Sequence, residues 1–561
     1  MFVSEAELGR ISSFQKSDVS IRPALLMVCL LPCVLLGIAR LPETFTGDQA
    51  MFVVYAERLS NGGMLYTDIW DVKQPGIFLF YLAGGTLFAF SEYGIHLFEL
   101  LYWLLFAVVC LKFLRDYFSN NWLVYFVPMF TVGYYYLTAG SLQMTQVETL
   151  ANLPVGFSFL LVPKLAETSG RLCWFVICLI SGLSITATII LKIAFLPLVV
   201  AVSVVAVILT SLRHPKFGRA KALITFVVIW AICGVSLFLC AFWIDHLGVL
   251  EQFVYTSFVY PREATALHGG FERIAVLGSS LVWFTVTFLP LLATIAIGCI
   301  FGLSKAFRAD RGISGLWEIA RSKPNVVTAC LLVWIAVGSC VILIQTTSWW
   351  SYHFMLLLTP LGILALKAID HLLNSIESLR KRRLREQFTI IFLFQVAMLS
   401  AVNVFTVREI KRLYRDRNYG YENSMLGPYG DHWDQYQRVL EESRMVGDTN
   451  IRDRSMFVCS DPLYYFLNRQ TPAISTNGWM PEFFVERQWR IFEEEVTGAK
   501  PDLLVVDSDC EWLIAENSVR LKQQFENEYE VILRSEKATW LRRAERVAPG
   551  EPKLRVNEIQ P

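Results

Sequence analysis

Ala222-Leu-Ile-Thr-Phe-Val-Val-Ile-Trp-Ala-Ile-Cys-Gly-Val-Ser-Leu-Phe-Leu-Cys-Ala-Phe-Trp-Ile244 runs for 23 residues without a charge. A helix of that length rises about 34 Å, enough to cross the ~30 Å hydrocarbon layer of a bilayer. Similar runs recur at 23–38, 76–90, 95–112, 122–138, 150–164, 171–188, 190–211, 274–302, 325–345, 353–369 and 387–405. Over all 561 residues, 54% are hydrophobic and 18% are charged. A soluble domain carries roughly 25% charged residues. The chain therefore reads as a polytopic α-helical membrane protein of about eleven spans, with a range of about nine to thirteen. Disordered, collagen-like and coiled-coil classes are excluded. The balance of 50 Lys+Arg against 49 Asp+Glu leaves a net charge of +1, which offers no electrostatic footprint for nucleic acid.

Orientation follows from where Lys and Arg gather, because short basic loops stay cytoplasmic. Three clusters stand out: Arg213, Lys216, Arg219 and Lys221; Lys305, Arg308, Arg311, Arg321 and Lys323; and Arg380, Lys381, Arg382, Arg383 and Arg385. Residues 1–22, with Arg10, Lys16 and Arg22, form a cytoplasmic N-terminus. No small-x-small cleavage site follows the first apolar run, so that run is expected to be an uncleaved helix rather than a signal peptide. Residues 23–405 form the membrane domain. The connections 41–75, 246–273 and 346–352 then fall on the opposite face together with everything after 405. One inconsistency remains. The turn near Ser91 is expected to be cytoplasmic like the loop at Arg213, yet five apolar candidates lie between them where an even number is required, so one of them is expected not to span. The candidates for a run that does not cross are 122–138, which is aromatic and interrupted by Gly133, and the unbroken 172–211.

Residues 406–561 change character. Strand-like Ser455-Met-Phe-Val-Cys459 and Asp502-Leu-Leu-Val-Val-Asp507 alternate with helix-like stretches, which predicts a soluble extracytoplasmic α/β domain. Asp461-Pro462 and Asp507-Ser-Asp509 are polar strand ends suited to capping helices. No Gly-rich phosphate loop accompanies them. Of twelve cysteines, only Cys459 and Cys510 lie in clearly polar sequence. Whether they pair is not set by spacing, since a disulfide depends on Cβ proximity.

The first outside connection is the most informative. In Thr44-Phe-Thr-Gly-Asp48-Gln-Ala-Met-Phe-Val-Val-Tyr55-Ala-Glu57-Arg58-Leu-Ser-Asn61-Gly62-Gly63, Met51, Val54, Tyr55 and Leu59 recur at helical spacing and Asn61-Gly62-Gly63 ends the pattern. A short helix along the membrane surface is expected, with Asp48 at its start as either an N-cap or a functional carboxylate. Met64-Leu-Tyr66-Thr-Asp68-Ile-Trp70-Asp71-Val-Lys73-Gln-Pro75-Gly76 follows. Here Asp68 and Asp71 fit a solvated turn or a polar pocket, Tyr66 and Trp70 fit an interfacial belt or the same pocket, and Lys73 fits a snorkelling lysine or a phosphate ligand.

These residues resemble the first extracytoplasmic loop of C-type glycosyltransferases, in particular bacterial enzymes similar to protein O-mannosyltransferases and to the aminoarabinose transferase acting on lipid A. The resemblance rests on Gly47-Asp48, Gly62-Gly63 with Leu65-Tyr66-Thr-Asp68, and Asp71-Val-Lys73-Gln-Pro75-Gly76. It is dense over 44–100 and continues weakly through Glu148, Lys192 and Trp349-Trp350-Ser-Tyr352-His353-Phe354. It implies a sugar donor carried on polyprenyl phosphate, an acceptor that is a glycan, lipid or protein, a bacterial inner membrane with the active site outside the cytoplasm, and catalysis by the carboxylate at Asp48. Many members carry Asp-Glu where this chain has Asp48-Gln49, so a two-acid role is not supported.

Such a transfer needs a base for the acceptor hydroxyl and cations for the departing phosphate. Asp48 supplies the base, and direct in-line attack would invert the anomeric centre. Lys73 and Arg262 are the phosphate candidates, the latter because a guanidinium matches phosphate oxygens bidentately, although Arg262-Glu263 also fits a surface pair. Tyr55, Tyr66, Asp68, Asp71, Glu148 and His353 are candidates for the donor or acceptor pocket. Glu148 precedes or enters an apolar run and Lys192 lies inside another, where a charge needs a partner or a task; one reading is that the two pair with each other. No His/Asp/Glu spacing supports a metal site, and a divalent ion stays open. A transporter or flippase of a lipid-linked or anionic substrate is the competing reading, but no repeated halves are visible.

Overall fold

The computed structural model describes residues 23–168, 170–214, 217–270, 273–308, 325–375, 427–447, 454–544 and 557–558. Among them, eight helices are long and apolar enough to cross a membrane: Glu92–Phe113, Val147–Ala166, Arg171–Leu191, Ile193–Arg213, Arg219–His246, Ile274–Phe301, Val326–Ile344 and Ser351–Asn374. The helix Pro23–Arg40 precedes them. The basic loop at 309–324 and the run 387–405 lie outside the described residues.

Contacts sort the helix ends into two sets. At one end, the Asp370 carboxylate accepts the backbone N–H groups of Ser119 and Asn120 at 2.8 and 3.0 Å. Lys164 reaches Asp116 at 3.2 Å, and Lys221 donates to the carbonyl of Leu165. At the other end, Ser141 donates to Glu43, Gln143 donates to Ser351, and Lys192 pairs with Glu148. The segment 121–138 joins the two sets and therefore runs the length of the bundle. It does so as a 3₁₀ turn Asn121–Phe126, a π turn Met129–Gly133 and a short α-helix Tyr134–Thr138.

The odd count between Ser91 and Arg213 resolves through the side of the turn: four of the five candidates are among the eight long apolar helices, and the fifth, 122–138, runs between the two sets of ends. Pro75–Phe88 has 14 residues, about 21 Å of helix, and falls short of the bilayer. It folds back along Glu92–Phe113, with Phe80 packed 4.9 Å from Phe98 and 5.5 Å from Tyr102. His96 Nδ1 meets the carbonyl of Leu41 and Glu92 accepts from Tyr436, so the turn near Ser91 sits at the end where the first helix finishes. The expected second span 76–90 is thus a second helix of the first loop. Gly76 lets its start press on the backbone of Ile190, since a Cβ there would stand 2.6 Å from that carbonyl oxygen. Ser351–Asn374 lies in the interior, with Phe354, Met355, Leu358 and Ile363 buried, whereas Leu239, Phe242, Val282 and Val286 face outward from the peripheral helices.

The C-terminal part is a sheet with helices. Strands β1 (Met456–Cys459), β2 (Leu503–Asp507), β3 (Tyr529–Arg534), β4 (Ala538–Arg543) and β5 (Asn557–Glu558) are ordered β1-β2-β4-β3-β5. The β1–β2 pair is parallel and β3–β4 antiparallel. Both expected strands are present. Asp507 caps the helix after β2 as expected, accepting from Cys510 N–H at 2.8 Å, whereas the helix after β1 has Pro462 as its N-cap, and Asp461, one residue earlier, accepts from Leu463 N–H at 2.8 Å without capping it. Cys459 and Cys510 form a disulfide that ties the end of β1 to the helix after β2. Closing a loop over a separation of 51 residues stabilises by about 4 kcal/mol in the chain-entropy account. Replacing both cysteines by Ser should raise amide exchange at β1 and β2 in detergent-solubilised protein by at least about a hundredfold, and unchanged exchange would show the bond to be dispensable.

Candidate active site

Asp48 lies in the first turn of the helix Gly47–Ser60 but does not cap it. Thr46 is the N-cap residue, and its N–H and hydroxyl both donate to Gln49 Oε1 at 2.8 and 3.1 Å. Gln49 also donates through its amide nitrogen to the carbonyl of Met144 at 2.6 Å and to Thr145 Oγ1 at 3.2 Å. A glutamate could not make those donations, so the amide at 49 is a tie between the first loop and residues 139–146. With capping done by its neighbours, Asp48 is left to other partners. The helix is not a bare surface element either: Gly47 through Ala56 are all buried, packed under Leu463–Asn468 and over Pro75–Phe88.

Three separate stretches converge on the Asp48 carboxylate. Lys73 Nζ stands 3.4 Å from Oδ1, Trp479 Nε1 donates to the same oxygen at 3.1 Å, and Tyr352 Oη stands 3.5 Å from Oδ2. Lys73 is braced on every side. Its ammonium lies 4.9 Å from the Phe52 ring centroid, its N–H donates to Asp71 Oδ1, and its carbonyl accepts from Tyr66 Oη at 3.0 Å. Burial lowers the affinity of Lys73 for its proton, but Asp48 and Asp71 outweigh that and hold the ammonium above its usual range. Asp71 is buried, and burial raises its pKa against the opposing pull of Lys73. Next to this group, Glu148 Oε1 accepts from Lys192 Nζ at 2.6 Å and stands 3.5 Å from His353 Nε2. The rings of Tyr352 and His353 meet edge-on at 4.7 Å, which joins the two clusters.

Of the residues expected from sequence, Asp48, Lys73, Asp71, Glu148 and His353 come together. Tyr66 supports Lys73 through its hydroxyl at a strained positive φ of 73°. Tyr55 is 1% exposed, with its ring 6.0 Å from Phe78 and its hydroxyl towards Asp71 and Asn477. Asp68 is exposed and closes its own turn by accepting from Met64 N–H. Arg262 is not brought to the cluster. It is exposed on Tyr260–His268, a helix that binds the tail domain through Tyr260 and His268 donors and acceptors at Phe483 and Phe484. Lys192, through its pair with Glu148, is the second cation brought to the joined clusters. Trp479 was not foreseeable from its polar surroundings 431 residues away. Among the described residues, no group of three or more His, Cys, Asp or Glu side chains is placed to hold a metal ion.

Asp461 lies beside this region. Burial, reinforced by the charge of Asp48, raises its pKa to about 7. A carboxyl with a raised folded pKa favours folding while protonated, so this contribution is full below about pH 4 and is lost as pH climbs towards 7. Asp461→Asn should flatten that decline and raise tail-domain stability at pH 8 by about 1–3 kcal/mol, read as thermal unfolding at pH 5 and pH 8. An unaltered pH dependence would remove Asp461 from the account.

These features define a polytopic helical membrane fold whose site is built from the first loop, two helix ends and a C-terminal sheet domain. The same fold is found in the crystal structure of ArnT from Cupriavidus metallidurans in the apo state, which matches with a TM-score of 0.55 and 12% sequence identity over 96% of this chain and 98% of that one. No family model matches the chain, and no curated protein matches it in sequence.

Proposed function

We propose that this protein is an integral membrane glycosyltransferase that moves a sugar from a polyprenyl-phosphate donor to an acceptor hydroxyl, with inversion. The observation that carries the reading is a buried carboxylate and an ammonium 3.4 Å apart where the crossing helices end. That is the height at which a lipid phosphate lies. Asp48 takes the acceptor proton, the acceptor oxygen bonds to the anomeric carbon, and the bond from that carbon to the phosphate oxygen breaks. Lys73 stabilises the polyprenyl phosphate as it leaves, with Lys192 as the further cation. The shared fold with ArnT, a lipid A aminoarabinose transferase, supports a lipid-linked donor and a membrane glycosyltransferase of the C-type.

The disulfide Cys459–Cys510 supports a tail outside the cytoplasm, because such bonds persist in oxidising compartments. With the site and the tail at the same end of the bundle, the reaction then takes place on the outer side of a bacterial inner membrane. The test is to incubate purified protein with radiolabelled polyprenyl-phosphate sugars and candidate glycan, lipid and protein acceptors. Transfer from at least one donor, lost in Asp48→Asn, is expected. No transfer and no release of polyprenyl phosphate from any donor would end the reading.

A further inference from the structure

We infer that Trp479, contributed by the C-terminal domain, is a positioning residue that orients the Asp48 carboxylate; this rests on the glycosyltransferase reading above. Its indole N–H and the Lys73 ammonium both address Oδ1, at 3.1 and 3.4 Å. Among the described residues, Oδ2 has only the Tyr352 hydroxyl, at the outer limit of 3.5 Å. A carboxylate acting as base needs one oxygen anchored and the other open. The pair at Oδ1 anchors the group, and Oδ2 receives the proton of the acceptor hydroxyl as that oxygen bonds to the anomeric carbon and the polyprenyl phosphate departs.

The surrounding construction holds the indole there. Ser475 and Asn477 lace the loop to the first connection, with Trp70 N–H donating to the Ser475 carbonyl at 2.9 Å and Asn477 Nδ2 donating to the Trp70 carbonyl at 2.8 Å. Asn477 Oδ1 also accepts from the N–H of Trp479, which turns the chain towards Asp48. On the other side the ring rests on Gly47: a Cβ at that position would lie 2.6 Å from the indole. The absent side chain at 47 is therefore a seat for Trp479, one residue before the carboxylate it serves.

Two variants test this by different routes. Trp479→Phe keeps the ring and removes the donor, while Gly47→Ala keeps the donor and displaces the ring. Each should lower kcat by about ten- to a hundredfold. Because the carboxylate is misdirected while the contacts to the donor stay, the loss should fall on kcat, with donor KM within about twofold of wild type. Trp512→Phe, at an exposed position on Ser508–Asn517, should match wild type. Unchanged kcat in both variants would overturn the inference, and so would a fall in kcat matched by a rise in donor KM, which marks mere structural damage. Wild-type protein that transfers no sugar from any lipid-phosphate donor would instead end the glycosyltransferase reading, and this inference with it.

Discussion

Asp48→Asn should abolish detectable sugar transfer, lowering kcat by about 10²–10⁴-fold, while donor affinity stays within a few-fold of wild type. The amide has the carboxylate's shape and can still accept from Trp479 at Oδ1, so the packing of Gly47–Ser60 is retained. What disappears is a base for the acceptor proton. Binding of a labelled polyprenyl phosphate to detergent-solubilised protein, measured beside transfer, separates the two effects. If the Asn variant turns over at wild-type rate, Asp48 is not the base. If it loses binding in proportion to rate, its role is in the ground state.

The second large effect is expected at the pair inside the helix bundle. Glu148 and Lys192 are 2.6 Å apart, and the glutamate is 2% exposed. Removing one partner of a buried pair leaves an uncompensated charge and costs about 3–5 kcal/mol, whereas removing both is far milder. Glu148→Gln and Lys192→Met should each reduce the yield of folded protein and its resistance to heating. The double substitution should recover much of the loss, with a coupling of about 2 kcal/mol or more in the cycle. Additive single losses below about 1 kcal/mol would show that the two charges do not depend on each other.

Charge against an apolar background is what made this pair legible in the sequence. A glutamate and a lysine placed in otherwise hydrophobic runs had to find company, and they found each other. Asp48 and Lys73 were legible for a related reason: polar groups crowded beside the first span, in a pattern similar to a known loop. The side of the Ser91 turn was not legible, because Pro75–Phe88 has the composition of a crossing helix and only its length and its packing on Glu92–Phe113 show otherwise. Arg262 was not brought to the cluster because a place in the 246–273 connection does not fix which way a side chain faces. Trp479 escaped notice because its contact with Asp48 depends on how the tail domain docks, and docking leaves no local periodicity.

The contrast between Ser351–Asn374, enclosed by its neighbours, and Arg219–His246, with Leu239 and Phe242 turned outward, sets how freely each can drift over generations. Lipid tails accept any greasy contour, so the outer helix can exchange Leu, Phe, Ile and Val almost at will. The inner one is bounded by fixed shapes on all sides, and divergent copies of this protein should keep side-chain volume there long after the outer helices have become unrecognisable.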